Sequence, residues 1–351
     1  MKMRNRNRSE TRFVMRSVLA LSLICMAALL ISGCSGLKRP SKDITVQIHT
    51  GTTGLAMSFL KNAPPSDIQA TGENQRTPFQ VGISLENKGA YDIKDGHLLL
   101  SVERNYMEIM GWQLNDNERF TQVGASGEKV SFKLKGRSDI NPTGEIDSIF
   151  ANVDALPFEK QSITRSASIR ATACYGYQTL ASASVCIDTD AYNLNPIDKS
   201  CTAKDISLSG GQGGPISVDK IDVSVLPNNE EGEEKSASPQ FVVHISNKGD
   251  GLVFNKDKVS DACSSANLKT EDINTVTLDD ISFSGYSLKG GYFECSPIQI
   301  RLRGQDDKFV CKVKKGIINT KTGAYSTTLE VVLEYGYSQT ISKDLAMSRI
   351  I

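Results

Sequence analysis

Residues 81–89 read VGISLENKG, and residues 241–249 read FVVHISNKG. Residues 175–179 read YGYQT, and residues 335–339 read YGYSQ. Asn87 and Asn247 are 160 positions apart, and so are Tyr175 and Tyr335. Two separate matches at one offset mark an internal duplication. The apolar alternation follows the same offset: Val81, Ile83 and Leu85 correspond to Phe241, Val243 and Ile245, and Ile169, Ala171 and Ala173 correspond to Leu329, Val331 and Leu333. Apolar residues at every second position define a strand with one buried face. A third pair, FKLKG at 132–136 and IRLRG at 300–304, is displaced by eight residues from that offset, as a loop insertion would do.

Working outward, each copy opens with another alternating segment, Leu55, Met57 and Phe59 in the first and Ile221, Val223 and Val225 in the second. Asn62, Pro64 and Pro65 follow one, and Pro227, Asn228 and Asn229 the other, as turn punctuation. Both Asn-Lys-Gly triplets predict turns, since Asn and Gly tolerate positive φ. No stretch carries a long, capped helical period. Short strands separated by turns predict an all-β chain of two tandem Ig-like antiparallel β-sandwiches. The first spans residues 44–198 and the second 199–351, with 199–215 as a linker containing the glycine-rich stretch Ser209–Pro215.

The chain has 351 residues, a length that suits two domains, with 39% hydrophobic and 23% charged residues. Lys+Arg and Asp+Glu balance at 40 each, but six of the basic residues and only one acid fall within residues 1–33. The remainder holds 34 basic and 39 acidic residues, a net charge of −5, which argues against a nucleic-acid partner. The apolar run at residues 18–31 (VLALSLICMAALLI) is too short for a hydrocarbon core that takes ~20 helical residues to cross. With its basic flank it reads as the core of a signal peptide ending at residue 33.

Ile31-Ser32-Gly33-Cys34 resembles a lipobox, in which the cysteine is acylated and becomes the new N-terminus after cleavage. That resemblance implies a lipid anchor on Cys34 at the outer face of the cytoplasmic membrane, followed by a polar tether at residues 34–43. The duplicated β-pattern, carried by GLAMSFLKNAPP (54–65), NKGAYDI (87–93) and CYGYQT (174–179), resembles the CARDB-like modules of archaeal and bacterial surface proteins. This resemblance implies a non-catalytic structural, adhesion or protein-interaction role at the envelope. It also implies another envelope protein as partner and no cofactor.

Six cysteines remain beyond the signal and anchor: Cys174, Cys186, Cys201, Cys263, Cys295 and Cys311. An even number in an exported body points to disulfides, though six allow 15 pairings. Cys174 and Cys186 lie equally far from Leu180, where a hairpin would place them opposite each other. Cys295–Cys311 and Cys201–Cys263 are the pairs expected for the rest. Glu334 stands at the position of Cys174 in the second copy, which suggests that this face is exposed.

Chemistry is sparse. His49, His97 and His244 are the three histidines, all in or beside predicted strands, and read as exposed. Neither a nucleophile elbow nor HExxH is found. Asp188, Asp190, Asn193 and Asn195 form an oxygen-rich loop that is a weak Ca²⁺ candidate without the Gly and terminal Glu of an EF-hand, and Glu230, Glu231, Glu233 and Glu234 read as a solvated run. Tyr175, Tyr177, Tyr335 and Tyr337 fall on inward-facing positions and predict core packing rather than a sugar platform. The alternatives to an interaction module are a lipoprotein that captures a sugar, peptide or metal between the copies, and a secreted hydrolase.

Overall fold

The computed structural model describes residues 48–70, 75–114, 119–124, 127–157, 163–190, 198–228, 236–263, 268–304 and 306–349. The expected signal peptide, Cys34, the expected tether, Asn193, Asn195 and the glutamate run at 230–234 lie outside the described residues. The first half supplies β1 (Leu55–Phe59), β2 (Asp67–Ala70), β3 (Thr77–Asn87), β4 (Ile93–Val102), β5 (Met107–Gln113), β6 (Phe120–Val123), β7 (Lys129–Leu134), β8 (Ile146–Ala155) and β9 (Thr164–Asp188). The second supplies β10 (Ile206–Ser207), β11 (Ile216–Asn228), β12 (Ser236–Asn247), β13 (Leu252–Phe254), β14 (Thr275–Phe283), β15 (Tyr286–Ser287), β16 (Phe293–Ser296), β17 (Gln299–Arg301), β18 (Asp306–Val313), β19 (Ile318–Asn319) and β20 (Ala324–Arg349). The fold is all-β. Its helical content among the described residues is confined to short turns, the longest being Val259–Ala262.

Each half contributes a small sheet, β1-β3-β8-β5 in the first and β10-β11-β12-β18-β16 in the second. A ten-stranded sheet, with the order β15-β14-β20-β9-β4-β7-β6 along its main path, is common to both. Its centre is the antiparallel pair β9–β20, which runs unbroken from Asp188↔Ala324 to Thr164↔Ser348. Gly176 stands opposite Gly336, so the repeat offset becomes a twofold relation about that pair. Apolar alternation on β9 and β20 is the cause: odd-numbered residues from Ala167 to Ile187 and from Leu329 to Tyr337 are buried, with inward residue paired to inward residue. Residues 44–351 therefore form one compact unit, and the buried faces of all three sheets share one core.

The internal equivalences can be read from strand register. Leu55 pairs with Asn87, and Ile216 pairs with Asn247. The counterpart of β1 is thus the start of β11, not the Ile221–Val225 segment expected to match it, which lies beyond a bulge at Val218/Lys220 on the same strand. β7 pairs with β4 and β17 with β14, which puts FKLKG and IRLRG in equivalent places. In the second half, residues 255–274 interrupt the strand that β4 forms continuously, splitting it into β13 and β14.

Candidate functional site

The two Tyr-Gly-Tyr segments meet on the twofold axis, where four tyrosine rings pack at centroid distances of 5.6–6.2 Å. Burying a phenol without a hydrogen bond is costly, and each hydroxyl here finds a partner. Tyr175 Oη accepts from Leu55 N–H at 3.2 Å. Tyr177 Oη donates to Asn87 Oδ1 at 3.1 Å and accepts from Tyr91 N–H. Tyr335 Oη lies 2.8 Å from Thr179 Oγ1, and Tyr337 Oη accepts from Gly251 N–H at 2.7 Å. Burial is the leading cause that pushes all four phenols above their ordinary pKa.

The Asn-Lys-Gly turns belong to this cluster. Asn87 is fully buried; its amide donates to Tyr91 O and Leu134 O, while its carbonyl accepts from Gly89 N–H. Asn247 repeats the pattern with Gly251 O and Gly249 N–H. Glycine is needed here for close approach rather than for positive φ: a β-carbon on Gly89 would overlap Tyr177 Oη, and one on Gly249 would overlap Tyr337 Oη. The glycine-rich stretch before β11 is packed against its counterpart, with Gly51 N–H donating to Gly210 O at 2.6 Å and Gly213 N–H to Gly51 O at 2.8 Å. The tyrosine group is an internal clamp, in line with the expected core packing.

The disulfides are Cys174–Cys263, Cys186–Cys201 and Cys295–Cys311. This corrects two expected pairs, Cys174–Cys186 and Cys201–Cys263. No hairpin forms at Leu180, because β9 continues through it. Cys174 and Cys186 are twelve residues apart on one strand, roughly 40 Å at ~3.3 Å per residue, far beyond disulfide reach. Cys174 does lie on the outward face, yet it is fully buried there. Phe254 at the end of β13, with Val259 and Cys263 of the 255–274 insertion, covers it as a small second core. The signal that could have found this bond was the twenty-residue lag of the second copy, which contains its one unmatched cysteine.

The other candidates are dispersed. Lys199 Nζ lies 2.5 Å from Asp188 Oδ2 and 2.6 Å from Asp190 O, so an ammonium fills the place a cation would take. No group of three or more His, Cys, Asp or Glu side chains converges on a metal position among the described residues. His97 is buried rather than exposed, beneath the insertion; burial first, then Lys129, lowers its pKa, and Asp95 partly opposes this. His49 is also lowered, by burial and then Arg137. His244 lies half-buried on the surface with Nε2 2.8 Å from Asp222 Oδ2. Asp222 is held below the usual carboxylate range by its bond to Lys220 and then by His244. This is a surface ion network, and among the described residues no hydroxyl is bonded to His244. No helix among the described residues is long and apolar enough to cross a membrane.

No family profile and no curated protein sequence matches the chain. Among solved structures, it resembles a type I cohesin–dockerin complex from Clostridium thermocellum at 12% identity, covering 36% of this chain and 85% of that one, with a TM-score of 0.22. It also resembles the C-terminal domain of the antigen I/II polypeptide BspA from Streptococcus agalactiae at 8% identity, covering 84% and 98%, with a TM-score of 0.17. The serine-rich repeat adhesion glycoprotein Srr1 from Streptococcus agalactiae gives 8% identity, 87% and 98% coverage, and a TM-score of 0.18. The fold assignment rests on the strand pairing of this chain itself.

Proposed function

We propose that the chain is an exported, lipid-anchored and non-catalytic interaction module of the cell envelope, of the CARDB-like kind. The observation that carries this reading is how its polar and reactive groups are used. The tyrosine hydroxyls bond backbone and side chains of the core, Asp188 holds Lys199, and all six cysteines of the described body are closed in disulfides. Such groups build a scaffold instead of a reaction centre. Three disulfides support an oxidising compartment, which agrees with the signal peptide and with acylation at Cys34. Two acyl chains on one cysteine would hold the body firmly at the bilayer, where a single chain gives only marginal binding.

Replacing Cys34→Ala should release the protein from membranes or block its maturation. Retention of the variant in the detergent-extracted fraction, unchanged from the parent, would sink the anchor. In-cell crosslinking of the anchored parent then reads the interaction half of the proposal.

A further inference from the structure

The twofold relation allows each half to be used as a template for the other, and one place is filled in the first half and vacant in the second. In the first half, β5 leads through residues 114–119 into β6, which pairs antiparallel with β7: Phe120↔Phe132, Thr121↔Ser131, Gln122↔Val130 and Val123↔Lys129. Phe120 is buried, and Arg119 bonds Glu145 at 2.8 Å and Asp147 at 3.0 Å. In the second half, β16 passes into β17 through Pro297 and Ile298 alone, and no counterpart of β6 exists among the described residues. Register fixes the match: Gly96↔Phe132 and Val276↔Ile300 are equivalent pairs, as are Leu85↔Asp147 and Ile245↔Asp307.

Three consequences of that missing strand are visible. Among the described residues, no strand pairs with the edge of β17 that faces away from β14. An open cleft of about 770 Å³ lies between β17 and β18, floored by Ile300, Leu302 and Val310. Ile298, the counterpart of fully buried Val130, immediately precedes β17 and is 49% exposed, lining a neighbouring pocket that shares Val310 with the cleft. The cleft is also basic on an acidic body. Arg301, Arg303 and Lys308 line it and make no ion pair among the described residues, and Asp307 is the single carboxylate.

We propose that this cleft is a docking site for an acidic, extended segment of a partner protein, which adds to β17 as β6 adds to β7. An unpaired strand edge supplies main-chain donors and acceptors, and the cleft supplies side-chain selection. The segment runs antiparallel to Gln299–Arg301, places a bulky apolar side chain where Phe120 sits in the first half, and turns carboxylates toward Arg301, Arg303 and Lys308. The proposal rests on the interaction-module reading and names the surface and partner chemistry for it.

The test uses the full lipidated chain in detergent and a fluorescent synthetic peptide, Glu-Phe-Glu-Val-Glu. Saturable binding that weakens with salt is expected, with amide-exchange protection at Gln299 and Arg301, whose N–H groups face away from β14. Reversing Arg301→Glu and Arg303→Glu should weaken binding roughly tenfold or more. The same reversals at Lys133 and Lys135 in the first half, where β6 already fills the edge, should leave it unchanged. Ile298→Lys, at a half-exposed position, is the second variant and should also abolish binding. No binding, equal binding of Lys-Phe-Lys-Val-Lys, or indifference to the second-half reversals overturns the site. In cells, a photo-crosslinker at position 298 should capture another protein, and capture of a second copy of this chain would also overturn it. A parallel crosslinker at the fully exposed Ile140 separates the two readings. Capture there but not at 298 removes the cleft alone; capture at neither position removes the interaction module with it.

Discussion

Trp112 stands opposite Ala151 across the β5–β8 pair, and Cys295 stands opposite Cys311 across β16–β18. These are the same position of the repeat. In one half a large ring lies over a small residue; in the other a covalent bond joins two small ones. The backbone frame has been kept while the means of holding it changed. Near the axis the halves agree closely, since Asn87 and Asn247 repeat a hydrogen-bond pattern and Gly89 and Gly249 meet equivalent tyrosines. Away from the axis they diverge. Among the described residues, only the first has a strand like β6, and only the second has an insertion like 255–274. The symmetric part holds the molecule together, and the asymmetric part is where the halves offer different surfaces.

The largest effect should come from alkali, because it strikes the symmetric part in both halves at once. The four axial tyrosines have pKa values raised mainly by burial. A raised folded pKa means that the stability is intact below the unfolded tyrosine value of about 10 and is lost as pH rises beyond it. The unfolded chain releases these protons while the folded chain keeps them. Thermal unfolding should fall steeply above pH ~10, and tyrosinate absorbance should appear together with unfolding. Gradual ionisation of all ten tyrosines in a folded chain would break the account of the axis.

Next in size is the bond that ties the asymmetric insertion to the opposite half. Cys174–Cys263 closes a separation of 89 residues, worth ~4–5 kcal/mol on the chain-entropy account. Cys174→Ser with Cys263→Ser should lower the urea midpoint accordingly and expose His97 to titration. Non-reducing peptide mapping that joins Cys174 to Cys186 would refute the continuous β9.

The Trp112 and Cys295 position offers a sharper comparison. Trp112→Ala should cost ~3–5 kcal/mol as a core truncation, with or without reductant. Its Nε1 has no hydrogen-bond partner among the described residues, so packing is what the truncation removes there. Cys295→Ala with Cys311→Ala should cost up to ~3 kcal/mol, and only under non-reducing conditions, because the bond closes a short loop. Equal sensitivity of the two halves to reductant would dissolve the contrast.

The duplication was legible because it lies in alternation and in two short motifs, which survive as local patterns. The buried tyrosines were legible for the same reason, since parity along β9 and β20 assigns their face. What escaped depended on partners distant in sequence. A turn at Leu180 was plausible for Thr179 and Leu180 taken alone, but β9 is held straight by β20, more than 130 residues away. The burial of Cys174 and His97 follows from an insertion whose landing place no local pattern encodes. The glycine of Asn-Lys-Gly was correctly placed in a turn but for another reason, because the tyrosine it makes room for is 88 positions along the chain.

The smallest effect discriminates within the symmetric part. Tyr177 and Tyr337 are twofold equivalents, but they are not equally served. Tyr177 Oη both donates to Asn87 Oδ1 and accepts from Tyr91 N–H, whereas Tyr337 Oη accepts from Gly251 N–H, and Asn247 is only partly buried. Removing a hydroxyl leaves its partner unsatisfied, at a cost that grows with burial. Tyr177→Phe orphans part of a fully buried Asn87 and should cost ~1–2 kcal/mol. Tyr337→Phe frees an amide in a more open loop, which water can serve, and should cost under ~1 kcal/mol. Denaturant unfolding of both variants measures the difference. If Tyr337→Phe proved the more damaging, the second half's turn, not the first's, would be the tighter clasp on the axis, and the order of the halves argued from burial would have to be reversed.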